Sequence, residues 1–163
     1  MGLFRDGFGA QLAALGLNIV PVAADGNCFF RAIAHQIEGD ENEHRKYREM
    51  VVEYIMEQRE NFEPFVEYNM NFDEYCNTMK KCGTWAGHME IQAASLVTRR
   101  NICIHSHGSS CLHIRNFDNR NTRTLHLSYD GEHYNSVIPL DKGQQYNSII
   151  PFANGARYML NDR

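Results

Sequence analysis

Two periodicities divide the chain. Up to about residue 99 apolar residues recur at helical spacing, and from 102 to 139 they alternate. Phe8-Gly-Ala-Gln-Leu-Ala-Ala-Leu-Gly16 predicts a short helix ended by its glycine, and residues 18–22 (Asn-Ile-Val-Pro-Val) predict a strand. From Cys28, the apolar Phe29, Ala32, Ile33 and Ile37 share one helix face up to about Glu38, where Gly39-Asp40 breaks the chain. Residues 42–60 carry the clearest amphipathic pattern: Tyr47, Met50, Val51, Tyr54 and Ile55 form a stripe, while Arg45, Lys46, Glu49, Glu53 and Glu57 form a solvated face. Pro64 to Tyr68 predicts a short turn or helix. Asn71 is placed to cap a helix bearing Phe72, Tyr75, Cys76 and Met79 that runs to Gly83. Thr84-Trp85-Ala86-Gly87 then opens a helix over 88–99, with Glu90 near its positive end and Trp85 read as a core anchor.

Strands follow. Ile102 and Ile104 alternate with Cys103 and His105, Leu112 and Ile114 continue, Leu125 and Leu127 alternate with Thr124, His126 and Ser128, and residues 133–139 add another. Helices first and strands last predict an α+β domain with a small, largely antiparallel sheet flanked by helices. At 163 residues the chain is one domain with room for a core, expected over 1–140, with a loosely ordered tail over 141–163 around Ile149-Ile150-Pro151-Phe152. The net charge of −4 has no basic stripe and argues against nucleic acid. No apolar run approaches the length of a membrane span, and Met1-Gly2 lacks the Ser or Thr of a myristoylation start at Asp6. Five cysteines (28, 76, 82, 103, 111) show no paired spacing and no signal peptide precedes them; they are expected to be reduced, in an intracellular (cytoplasmic or nuclear) protein.

Chemistry concentrates at Asp25-Gly26-Asn27-Cys28. Asp, Gly and Asn make a turn, so Cys28 stands in the first turn of a helix, where unpaired N–H groups and the dipole favour a thiolate. Backbone N–H groups of Asp25, Gly26, Asn27 and Cys28 could also hold an oxyanion. A thiol nucleophile needs a base. Of eight histidines, His35 and His44 are expected on helix surfaces, and His113 and His126 as structural imidazoles in strands. His133 stands instead at a turn-to-strand junction, and Asn135, two residues on, shares its strand face and can hold the ring in one tautomer. Cys103, His105 and His107, with Cys111 or His113, could make a zinc site. Successive ligands on one strand lie roughly 6–7 Å apart, however, which argues against convergence, and no metal is expected.

Asp25-Gly-Asn-Cys28-Phe-Phe-Arg31 and Gly131-Glu-His133-Tyr-Asn135-Ser resemble the two catalytic motifs of the OTU (ovarian tumour) cysteine proteases, and Thr84-Trp-Ala-Gly-His-Met-Glu90-Ile resembles the tryptophan-glycine loop between them. The similarity runs from about Leu12 to Pro139. Gln58-Arg-Glu-Asn-Phe-Glu-Pro-Phe65 is similar to the subgroup typified by OTU domain-containing protein 3. The resemblance implies a papain-like fold, no cofactor, and hydrolysis of isopeptide bonds at the C-terminus of ubiquitin, on polyubiquitin chains or ubiquitinated proteins. Cys28 would be nucleophile, His133 general base and Asn135 its orienter. Two roles stay open for Asp25, shaping the oxyanion loop or contacting His133. Trp85, Gly87 and Glu90 would contact substrate, although Ala86 and His88 depart from the usual loop. Two other readings are a non-catalytic ubiquitin-binding module and a hydrolase of a different ubiquitin-like modifier.

Overall fold

The computed structural model describes residues 7–140. Met1-Gly2 and the expected tail over 141–163 lie outside the described residues. Among those described, six α-helices precede or flank five strands: α1 (Phe8–Ala14), β1 (Leu17–Val20), α2 (Cys28–Glu38), α3 (His44–Glu57), α4 (Arg59–Phe62), α5 (Phe72–Met79), α6 (His88–Thr98), β2 (Asn101–His105), β3 (Leu112–Ile114), β4 (Thr124–Tyr129) and β5 (Tyr134–Pro139). The sheet order is β1-β5-β4-β2-β3. Every neighbouring pair is antiparallel except β2 with β4.

Helix α2 lies at the centre. It packs on β5 and β4 on one side and on α3 on the other, and from Cys28 to Gln36 every residue except Arg31 is buried. Phe29, Phe30, Ile33, Val51, Ile55, Ile102 and Leu127 are fully buried around it, each large side chain contributing about 1.5–3 kcal/mol on removal from water. His35, expected on the surface, is buried because it faces β5 in a helix held between the sheet and α3. Its Nδ1 meets Ser136 Oγ at 2.7 Å. Gln36 joins the same contact, donating to Ser136 Oγ at 2.8 Å and Val137 O at 2.7 Å, while its Oε1 accepts from His126 N. These polar ties lock α2 to β5, so the elements carrying Cys28 and His133 are fixed relative to one another. On the other face of the sheet, α1 buries Phe8 and Leu12 against Leu17 and Val137.

Three expectations shift. The buried stripe of α3 is His44, Tyr47, Arg48, Val51, Val52 and Ile55, so it is rotated from the expected one and takes in a histidine and an arginine. Asn71 caps α5 as expected, Glu74 N donating to Asn71 Oδ1 at 2.8 Å, but α5 stops at Met79 rather than Gly83. Its last carbonyl, Met79 O, accepts from buried Arg48, and the chain turns away there. Finally, Cys103 and Cys111 are joined as a disulfide with Cα atoms 6.1 Å apart, against the expectation of five reduced thiols; the β2–β3 hairpin brings together two positions eight residues apart that spacing alone did not pair.

Candidate active site

The Asp25–Cys28 turn is held by three sets of contacts. Asp25 accepts from Asn27 N at 3.1 Å and forms an ion pair with Arg31 at 2.6 Å; Arg31 also reaches Glu41. The Arg31 guanidinium holds the Asp25 carboxyl far below the usual carboxylate range, despite some burial. Asp25 thus contacts the loop and α2, and among the described residues its hydrogen bonds go to Asn27 and Arg31 rather than to His133. The Asn27 N–H, spent on Asp25, is removed from the four candidate oxyanion donors. Gly26 has φ +80°, and a Cβ there would lie 2.2 Å from Gly83 O, so only glycine lets the turn pass this close to the segment before Trp85.

Asn27 directly precedes Cys28 but does not cap α2 with its side chain. Its Oδ1 instead accepts from Gly83 N at 2.7 Å and Arg48 Nη2 at 2.8 Å. Arg48, 3 % exposed, also donates to Met79 O and Thr84 O, both at 2.9 Å, and lies over the Phe30 ring at 4.4 Å. One buried guanidinium thus ties the turn before Cys28 to the 79–84 segment. Sequence reading missed this residue; the available signal was a charge inside the buried stripe of α3.

The second half of the site comes from the turn before β5. Asp130 Oδ1 accepts from Glu132 N at 3.0 Å and His133 N at 2.8 Å, which fixes the approach of His133. His133 Nε2 and Asn135 Oδ1 are 2.8 Å apart. The same Oδ1 accepts from Val22 N at 3.0 Å. A backbone N–H can only donate, so Val22 decides which end of the Asn135 amide is oxygen; His133 Nε2 must then carry the proton, leaving Nδ1 as the basic nitrogen of a neutral ring. Tyr134 N donates to Cys28 Sγ at 3.5 Å, and the Tyr134 ring packs edge-on against Phe29 at 5.5 Å and stacks on Tyr129 at 4.4 Å. The backbone between His133 and Asn135 therefore lies against the Cys28 thiol, while the two side chains bond to each other.

The tryptophan-glycine loop divides. Trp85 is 66 % exposed, a surface side chain rather than a core anchor. Gly87 has extended backbone, and a Cβ would meet only Glu90 Oε1 at 3.6 Å; the fold does not itself require glycine there. Glu90 is 2 % exposed and cannot meet a substrate directly. It accepts from Gly87 N at 2.6 Å and so holds the loop. Burial pushes its carboxyl up to about 7, outweighing the Gly87 bond that lowers it. A carboxyl raised in the fold stabilises it fully below its unfolded value and loses that contribution as pH rises towards 7. Measured by urea midpoints, Glu90→Gln is expected to gain stability relative to the parent between about pH 5 and pH 8, by up to roughly 3 kcal/mol. An offset that does not change with pH would contradict the burial of the charge. His44, expected at the surface, is buried at the start of α3, and burial lowers its pKa.

A family model described as OTU-like cysteine protease matches residues 23–134. The chain belongs to the OTU-like cysteine protease family. The match spans Cys28 and His133, and Asn135 lies one residue past its end. The OTU chain is 65 % identical over 131 residues to OVARIAN TUMOR DOMAIN-containing deubiquitinating enzyme 7 of Arabidopsis thaliana, covering 80 % of this chain and 35 % of that protein. It is 44 % identical over 131 residues to OTU domain-containing protein 3 of Mus musculus, covering 80 % and 33 %. It thus spans about a third of the length of the curated relatives it matches. The solved OTUD1 OTU domain superposes with TM-score 0.75 at 26 % identity, over 80 % of this chain and 91 % of that one. The Hazara virus OTU bound to ubiquitin has the same fold, with TM-score 0.65 at 19 % identity over 77 % and 83 %.

Proposed function

We propose that the domain is a deubiquitinating cysteine protease, hydrolysing isopeptide bonds at the C-terminus of ubiquitin. The observation that carries this reading is the Cys28 thiol against the backbone between the hydrogen-bonded His133 and Asn135, in a chain 65 % identical to a protein named as a deubiquitinating enzyme. His133 Nδ1 takes the thiol proton, and Cys28 Sγ attacks the carbonyl carbon of the terminal glycine. The tetrahedral oxyanion lies at the start of α2, which lacks a side-chain cap because Asn27 turns towards Arg48 and Gly83. Those first-turn N–H groups are open to a developing negative charge. Collapse expels the lysine amine, protonated by His133, and leaves a thioester. His133 then deprotonates water for the second attack and Cys28 leaves.

The Asn135 acceptor keeps the reacting nitrogen of His133 turned away from Val22 and available to the thiol. Exposed Trp85, with the side-chain-free backbone at Gly87, is assigned to the substrate cleft, where it suits a narrow Gly-Gly terminus.

Ubiquitin carrying a C-terminal electrophile tests the reading. The expected result is a single adduct of ubiquitin size on Cys28, with parallel probes built on other ubiquitin-like modifiers reacting at least ~10-fold more slowly, as expected where unmatched contacts cost about 1.4 kcal/mol or more. Labelling by another modifier and not by ubiquitin would reassign the substrate. A folded sample that labels with none would reduce the domain to a non-catalytic module.

A further inference from the structure

A second cluster of reactive side chains occupies the sheet face opposite α2. Cys103 lies on β2 directly across from His113 on antiparallel β3 and from His126 on parallel β4. Partners directly opposite each other project to the same face, so three adjacent strands present His113, Cys103 and His126 in a row. All three line one cavity of about 420 Å³. Cys111 enters from the turn before β3. The ligand atoms of Cys103, Cys111 and His113 lie within 4.8 Å of one another, as do those of Cys103, His105 and His126. His105 Nε2 is 3.1 Å from His126 Nδ1 and 3.6 Å from Cys103 Sγ. The imidazole of His105 thus folds back along its strand, which is why the 6–7 Å strand spacing that argued against a metal does not hold. His107 takes no part, since its ring stacks on Phe8 at 5.9 Å.

We propose that, in its dithiol state, this cluster binds one zinc ion through Cys103, Cys111 and His113, whose ligand atoms already lie together, with water in the fourth position and His105 and His126 beside Cys103. Two thiolates and an imidazole with no carboxylate among them are a donor set for zinc, not for calcium or magnesium. The Cys103–Cys111 bond must open first. A dithiol reductant supplies two electrons and two protons, becoming a disulfide itself, and the protein gains two thiols. Zinc then displaces both thiol protons and two are released to solvent. The ion would clip β3, a three-residue edge strand with its side chains largely exposed, to β2 beside it. Disulfide and zinc are alternative clips of the same hairpin, and neither involves Cys28 or His133.

The test uses the full chain, reduced with dithiothreitol, loaded with zinc sulfate and desalted without oxygen. Expected are about one zinc per chain and alkylation of Cys103 and Cys111 slowed at least ~10-fold until a chelator is added, since bound thiolates are masked as nucleophiles. Cys111→Ser and His113→Asn change partly or fully exposed positions and are expected to lose the zinc while keeping the fold by circular dichroism; His107→Ala is expected to retain it. Reduced protein with less than about a tenth of an equivalent and fully reactive thiols overturns the proposal. So does zinc that survives both variants, and so does a disulfide that dithiothreitol cannot open.

Discussion

Cys28→Ala is expected to abolish cleavage of diubiquitin, lowering the rate by at least ~10⁴-fold, as removal of a nucleophile does in enzymes where one group starts the reaction. Ubiquitin affinity is expected to stay within a few-fold. A protein interface of standard size spreads its energy over tens of residues, of which one thiol is a small part. The structure sharpens the prediction by weighing the other sulfurs. Cys103 and Cys111 are joined to each other. Cys76 is buried in α5, and burial raises its thiol pKa, which disfavours the thiolate. Cys82 is exposed, with its Sγ 3.5 Å from Asn27 Oδ1, close enough to the turn to be a rival. Cys82→Ala is therefore the informative companion and is expected to keep nearly full activity. Gel-based cleavage of diubiquitin, with binding measured on the same samples, decides. Residual turnover above about one per cent in pure Cys28→Ala, or collapse in Cys82→Ala, would move the nucleophile, because a triad stripped of its nucleophile retains only the residual catalysis of its oxyanion hole and binding.

The motif residues were legible because each works through neighbours in sequence. Asp25, Gly26 and Asn27 form a turn whatever surrounds them, and His133 and Asn135 share a strand face by periodicity alone. Helix and strand order was legible for the same reason, since period 3.6 and period 2 are local properties. What could not be read depends on partners far along the chain. Arg48 looked like one more charge on an amphipathic helix, yet it reaches Asn27, Met79 and Thr84. His35 looked exposed because helix periodicity assumes one buried face, whereas α2 is enclosed on two. Glu90 looked available to substrate because it follows the loop motif; its carboxylate turns inward onto Gly87. The Cys103–Cys111 pairing follows from hairpin register, which a Gly-Ser-Ser turn does not specify. Val22 is the most instructive omission, because a backbone N–H leaves no mark in sequence although it sets the tautomer of His133.

That backbone contact separates the roles of Asn135 and Asp25. Asn135 Oδ1 serves His133 and Val22, whereas Asp25 serves Arg31 and Asn27. Asn135→Ala is expected to slow turnover ~10–10³-fold, less than the ~10⁴ loss when a triad's third member forces the wrong tautomer, because deletion frees the ring without misprotonating it. It also leaves Val22 N without its acceptor, at a cost of about 1–3 kcal/mol in stability. Asn135→Asp keeps an acceptor for both donors and is expected to restore most of the activity, which a purely packing role would not require. Asp25→Ala is expected to slow turnover ~10²–10³-fold through a loosened oxyanion turn. The two variants part in the rate of Cys28 alkylation by a small reagent followed against pH, since thiolate formation depends on a correctly held imidazole and not on the oxyanion turn. Asn135→Ala is expected to move that profile to higher pH. Asp25→Ala, which removes contacts to Asn27 and Arg31 only, is expected to leave it in place while turnover falls. A profile that shifts with Asp25 and ignores Asn135 would exchange the two roles.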